Sequence, residues 1–305
     1  MTKTAVVWVG ALICSALWGS AFPCIKLGYR MTDIGTADTA AQILYAGLRF
    51  TLAGILAILI GSVSARKLLY PKRTAYTKVI VLSLFQTILQ YFFFYIGLAR
   101  TDGTKASIIE GMNVFVAIAV SGLIFRIEKL TARKIFGSII GFVGVILINV
   151  SGKSLSGSMT FTGEGFIFLS TVSYAFSSVM LKVYSKEENT VMLSGWQFVF
   201  GGIVMTISGL LMGGRIHTFR ADGILMLLYL AFVSAVAYSL WSVLLTYNPI
   251  SRVAVFGFMN PMIGFILSAV MLKEYDALRA TAFVSLALVC LGIYIVNKGK
   301  PIEQA

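Results

Sequence analysis

Apolar runs of roughly 18–22 residues, each able to cross about 30 Å of hydrocarbon at about 1.5 Å of rise per residue, recur along this chain. Ten can be traced, at 5–26, 40–61, 76–98, 104–124, 133–150, 164–183, 191–213, 222–244, 252–272 and 279–296. The expectation is an all-α polytopic membrane protein of ten transmembrane helices. Composition agrees, since 58% of the 305 residues are hydrophobic and 12% are charged, against about a quarter charged in soluble domains. Ten spans leave no stretch for a soluble catalytic domain.

The first run follows Lys3 and has the look of a signal peptide, but no small-residue cleavage site closes it, and Pro23, Lys26 and Arg30 come directly after. The net charge of +13 would suit nucleic acid. The basic residues, however, gather in two loops. SARKLLYPKRTAYTK carries Arg66, Lys67, Lys72, Arg73 and Lys78, and RIEKLTARK carries Arg126, Lys129, Arg133 and Lys134. Each loop follows an even-numbered run, so both lie on one side, which the positive-inside rule makes cytoplasmic. Lys298 and Lys300 fall on the same side. Both termini are expected in the cytoplasm, with the protein in a bacterial plasma membrane and no nucleic-acid partner.

Cys14, Cys24 and Cys290 sit in apolar runs without paired spacing, and His217 stands alone in a loop. Neither pattern suits a metal or disulfide framework. No GxxxxGK[ST] motif is present, so ATP is not expected to drive the protein directly. No cofactor or metal is expected.

The two halves resemble each other. TKASIIEGMNVFVAIAVSGLIF at 104–125 aligns with SRVAVFGFMNPMIGFILSAVML at 251–272, pairing Lys105 with Arg252 and Asn113 with Asn260. Each is followed by a charged turn containing glutamate, then by a glycine-bearing run ending in Asn. SALWGSAFPCIK matches STVSYAFSSVMLK loosely, setting Trp18 against Tyr174 and Lys26 against Lys182. LRFTLAG parallels WQFVFGG, setting Arg49 against Gln197, and Tyr91 of QYFFFYIG matches Tyr238 of VAYSLWS. Five spans per half is an odd number, so the second copy enters the membrane from the opposite side. Such inverted five-helix repeats permit alternating access to a site between them. The expected units are 1–152 and 160–299, with a cytoplasmic tail at 300–305.

The motif ALWGSAFPCIKLGY in span 1 resembles the opening of EamA-type members of the drug/metabolite transporter superfamily. So do Arg49-Phe50 in span 2, GLARTDGTKAS leading into span 4, and NPMIGFILSAVMLKE in span 9. The resemblance runs from residue 5 to about 297. It implies a ten-helix transporter whose spans 1–4 and 6–9 surround a central cavity, with spans 5 and 10 peripheral. It also implies substrates ranging over amino acids, other metabolites and drugs.

The run SIIEGMNVFVAIAVS carries a carboxylate where lipid disfavours one. Wound at 100° per residue, Ser107, Glu110, Asn113, Ala117 and Ser121 share an arc of about 120°. Such a stripe faces the bundle or a wet cavity, so Glu110 is either a functional carboxylate, the natural proton carrier of an ion-coupled cycle, or a structural hydrogen-bonding group. The corresponding stripe in span 9 is Ala254, Gly257, Asn260, Gly264 and Ser268, so the acid has no counterpart. Asn113 and Asn260 suit a polar ligand or helix–helix bonding equally, and Pro261 beside Asn260 frees a carbonyl. Arg49 is within reach of Glu110, but Arg-Phe is common in the family, which favours a structural role bonding carbonyls.

Lys105 and Arg252 open their helices and either attract an anion or snorkel to the boundary. Tyr91, Tyr238, Trp18 and Trp241 lie on spans expected to line the cavity, or pack simply as membrane aromatics. The reading that follows is a secondary transporter, an exporter of amino acids or related small metabolites, in contact with lipid, a small solute and protons. The alternatives are efflux of cationic or aromatic compounds and exchange of phosphorylated metabolites. A membrane-embedded enzyme lacks a nucleophile–base or metal constellation, and a non-transporting pore or scaffold would show no counterflow. The oligomeric state, a homodimer included, is open.

Overall fold

The computed structural model describes residues 4–127, 130–150, 160–218, 220–247, 259–275 and 278–297. Among these residues every regular element is helical. In chain order the helical segments are α1 (Thr4–Met31), α2 (Thr39–Ala65), α3 (Arg73–Arg100), α4 (Gly103–Ile124) and α5 (Ala132–Val150). They continue with α6 (Phe161–Tyr184), α7 (Thr190–Leu211), α8 (Ala221–Tyr247), α9 (Met259–Met271) and α10 (Ala280–Asn297). Seven of these, α1–α4 and α6–α8, contain stretches long and apolar enough to cross a bilayer. Of the rest, α5 is described over 19 residues, α9 over 13 and α10 over 18. Arg252, Ala254, Gly257, Lys298 and the tail at 300–305 lie outside the described residues.

Several helices overshoot their apolar runs. α1 continues through Lys26 and Arg30 to Met31 with Pro23 inside it, because a helix goes on satisfying its own backbone where the chain leaves hydrocarbon. α2 begins with Asp38 capping the Ala41 N–H at 2.9 Å and ends with Arg66 in the left-handed region. Two helices change winding part-way. α3 widens to π-type turns over Ser83–Leu89. α4 tightens directly after Glu110, where the N–H groups of Gly111 and Met112 bond three residues back at 3.1 and 2.9 Å, and widens again over Val120–Ile124. Such irregularities shift the faces that a uniform 100° winding assigns.

Lipid is as apolar as leucine, so helices associate there through close van der Waals packing and small residues. Glycines supply that approach. A Cβ on Gly54 of α2 would meet the Gly195 carbonyl of α7 at 2.6 Å, and one on Gly209 of α7 would meet the Leu44 nitrogen at 2.6 Å. At the far end Gly61 approaches Val191. Position falls along α7 as it rises along α2, so the two run antiparallel. The same holds for α5 and α10, joined at Gly137–Gly292 and Gly144–Ser285, and for α4 and α9, joined at Gly103–Ser268, Ser107–Gly264 and Gly111–Pro261. α1 and α8 are antiparallel too, with the Cys14 thiol donating to the Ala237 carbonyl at 3.5 Å and the Ser20 and Tyr229 hydroxyls 2.7 Å apart. The outer faces are apolar: Val63 is 79% and Leu211 83% exposed, positions that suit contact with acyl chains.

Candidate functional site

A cavity of about 370 Å³ lies among α1, α2, α3, α4, α6, α8 and α9. Glu110, Asn113, Asn260 and Arg49 all border it, and so do Tyr91, Tyr238, Trp18 and Trp241. Among the described residues, none of α5, α7 or α10 lines it.

Glu110 ends the first half of α4. Its Oε2 accepts the Ser170 hydroxyl of α6 at 3.3 Å, and the Asn113 side chain bonds it from one turn on. Neither partner is charged, and part of the carboxylate surface stays open to the cavity. Along α4 the cavity-facing stripe holds for Glu110, Asn113, Ala117 and Ser121. Ser107 faces the bundle instead: it is fully buried, donates to the Thr104 carbonyl at 2.8 Å and packs against Gly264 of α9. The tight turns at Gly111 and Met112 separate the two stretches.

Arg49 does not use Glu110 as its partner. Its Nε donates to the Leu230 carbonyl at 3.1 Å, Nη1 to the Tyr95 hydroxyl at 2.7 Å and Nη2 to the Ser234 hydroxyl at 2.9 Å. The guanidinium lies 4.9 Å from the Phe50 ring centroid, and the residue is 3% exposed. It ties α2 to α3 and α8 through neutral acceptors, with the aromatic faces adding cation–π attraction. Its counterpart Gln197 does related work on α7, accepting the Thr87 hydroxyl at its side chain and the Ser83 hydroxyl at its carbonyl.

The rings form a connected group. Trp18 meets Tyr238 edge-on at 5.5 Å and Trp241 at 5.3 Å. Tyr91 lies on Phe50 at 3.9 Å, and its hydroxyl is 3.4 Å from that of Tyr238. Asn260 Oδ1 is buried with no partner among the described residues, as is Gln90 Oε1 on the same wall. A wall with one carboxylate, amide side chains, Lys182 and a ring surface can hold a small solute that has both a polar group and an apolar part.

Lys105 stands apart from the cavity, with Nζ 3.7 Å from Glu164 Oε1 on α6. Glu164 also accepts the Thr160 N–H and hydroxyl, both at 3.0 Å. Arg252 lies outside the described residues. The wall also includes Gln90, Phe94, Tyr174, Ser178 and Lys182, which sequence reasoning did not select as site residues. For Tyr174 and Lys182 the signal was present, since they match Trp18 and Lys26. Among the described residues there is no cluster of three or more His, Cys, Asp or Glu side chains.

Comparison with known proteins accords with this picture. The model of the EamA-like transporter family matches residues 5–150 and again 161–298, and the chain belongs to that family. A WAT1-related chloroplastic protein of Arabidopsis thaliana is 26% identical over 66% of this chain and 50% of its own length, so this chain spans about half of it. A protein of Salmonella typhimurium named "probable amino-acid metabolite efflux pump" is 27% identical over 93% of this chain and 92% of its own. A crystal structure sharing 15% identity superposes with a TM-score of 0.66 over 96% of both chains, a likeness of fold.

Proposed function

We propose that this protein is a secondary carrier that exports amino acids or related small metabolites by alternating access. In this reading ten spans form two inverted five-helix units, 1–152 and 160–299, around the cavity. The antiparallel pairing of matched segments, α2 with α7 and α4 with α9, supports the inversion. The basic loops support cytoplasmic termini and a bacterial plasma membrane.

The observation that carries the proposal is the cavity wall itself, where Glu110 and the side chains of Gln90, Asn113 and Asn260 line the same space as Trp18, Tyr238 and Trp241. A solute ammonium takes Glu110, and its apolar part takes the rings. The name of the Salmonella relative supports amino-acid-like cargo. Cationic aromatic compounds fit the same wall and are the second reading. Phosphorylated metabolites are the third reading: Lys105 is engaged by Glu164, whereas Lys182 lies on the cavity wall.

The test is flux in proteoliposomes. Glu110→Gln should abolish proton-dependent uptake of labelled amino acids while the variant elutes as the parent does. Full pH-dependent flux in that variant would sink the coupling role. Thermal shifts of the purified protein with amino acids, nucleosides and cationic dyes separate the cargo classes, because a ligand of the native state raises its apparent stability.

A further inference from the structure

Among the described residues the cavity is closed off at one end. On α4 the residues from Asn113 to Ala119 are partly exposed, Phe115 excepted, whereas those from Gly103 to Ile109 are buried apart from Lys105. On α1 the wall runs from Ser15 to Phe22, and on α6 from Tyr174 to Lys182. Lys26, the start of α4 and the C-terminal end of α9 therefore share the end that is sealed. The seal is close-packed: a Cβ on Gly264 would stand 2.9 Å from the Ser107 Cβ, and one on Gly103 would stand 2.8 Å from Ser268 Oγ.

Over this seal lies a polar cluster. Glu274, just past α9, accepts the Gly103 N–H at Oε1 and the Thr104 N–H at Oε2, both at 3.0 Å. Lys26 of α1 reaches the same Oε1 at 3.4 Å and donates to the Thr101 carbonyl at 2.7 Å. The two side chains are 18% and 13% exposed. One carboxylate thus closes three elements together. It caps the first free N–H groups of α4, where the helix dipole favours an anion, and it pairs with a cation from α1. Lys182, the residue matched to Lys26 in the second half, instead lies on the cavity wall.

We infer that Glu274 is a gating residue whose contacts with Lys26 and the first turn of α4 hold this end of the cavity closed and must release for solute to pass there. The role rests on the carrier reading above, and its test reads opening whether or not solute moves. Ser107→Cys, in a background with Cys14, Cys24 and Cys290 replaced by alanine, reports on the seal. A membrane-impermeant maleimide is applied to vesicles from the side on which Lys26 lies. With Glu274 present, labelling is slow. Glu274→Gln should quicken it roughly tenfold, the size expected for losing one charge-assisted bond. Lys26→Met reads the same contact by a different substitution and keeps the test alive should Glu274→Gln fail to fold. Folded variants labelled at the parent rate would overturn the gate. Faster labelling with no solute flux in the parent protein would keep the gate and remove the carrier.

Discussion

Tyr91 of α3 and Tyr238 of α8 bring their hydroxyls within 3.4 Å of each other. These residues occupy matching positions in the two halves, and a second matched pair, Phe50 and Phe198, stacks at 5.2 Å beside them. Both tyrosines line the cavity, with Phe50 packed on Tyr91 at 3.9 Å and Phe198 on Tyr238 at 5.0 Å, so the aromatic group backs one part of its wall.

Tyr91→Phe and Tyr238→Phe both remove the contact between the two hydroxyls, and Tyr238→Phe removes the Gln86 side-chain bond as well. Each should lower stability by about 0.5–1.5 kcal/mol. The double variant should lose little more than Tyr238→Phe alone, because the contact between the hydroxyls is already gone in that variant. Unfolding in detergent measures all three, and full additivity would show that the hydroxyls act independently.

Arg49→Met leaves the Tyr95 hydroxyl, the Ser234 hydroxyl and the Leu230 carbonyl without their donor. A loss of about 2–5 kcal/mol is expected, each buried group costing about 1–3 kcal/mol when left unmet. Arg49→Lys should recover part of this, since an ammonium cannot span three acceptors set in a fork. The check is the unfolding midpoint of each variant. Unchanged stability with lost flux would make Arg49 a solute ligand instead of a tie between helices.

Gly54→Val and Gly209→Val should break the α2–α7 seam, because a Cβ there meets backbone atoms at 2.6 Å. The cost is at least about 1–3 kcal/mol, the usual figure for overpacking, and should appear as loss of the monodisperse peak in size exclusion. Gly35→Ala is the control, since nothing lies within 4 Å of a Cβ at that position.

Glu187 lies outside the spans and bonds Lys78 at 2.6 Å, which holds its carboxyl below the usual glutamate range. A lowered folded-state pKa contributes stability above the unfolded value, about 4.3, and that contribution fades as pH falls through the folded one. With Glu187 72% exposed, the effect should be small and weaken in high salt. Glu187→Gln is expected to lower stability slightly at neutral pH and leave it unchanged in acid, where the carboxyl is protonated folded or unfolded, so that the acid side of the profile flattens.

Much of the helical layout was legible. The apolar runs located the helices to within a few residues at most of the ends described, because the length of hydrocarbon to be crossed is a property of the chain alone. The polar stripe of α4 was legible, but not its division, with Glu110 to Ser121 on the cavity and Ser107 packed into the bundle against α9. There the turns at Gly111 and Met112 change the winding, and hydropathy does not register a one-turn change. Lys182 was visible only through its match to Lys26.

The choice of partners was not legible. Arg49 was within reach of Glu110 along the sequence, yet three neutral acceptors on α3 and α8 surround it. Lys105 had the position of an anion attractor, yet Glu164 stands beside it. Glu274 read only as part of a charged turn until α4 was found beneath it.

By itself the sequence determined that this chain belongs in a membrane, where its helices run, and that its halves echo each other, since each depends on local hydrophobicity and spacing. Only the tertiary structure decided which charges are met and which face open space. Pairing depends on distances between helices far apart in sequence, and those distances are set by glycines that let the backbones close.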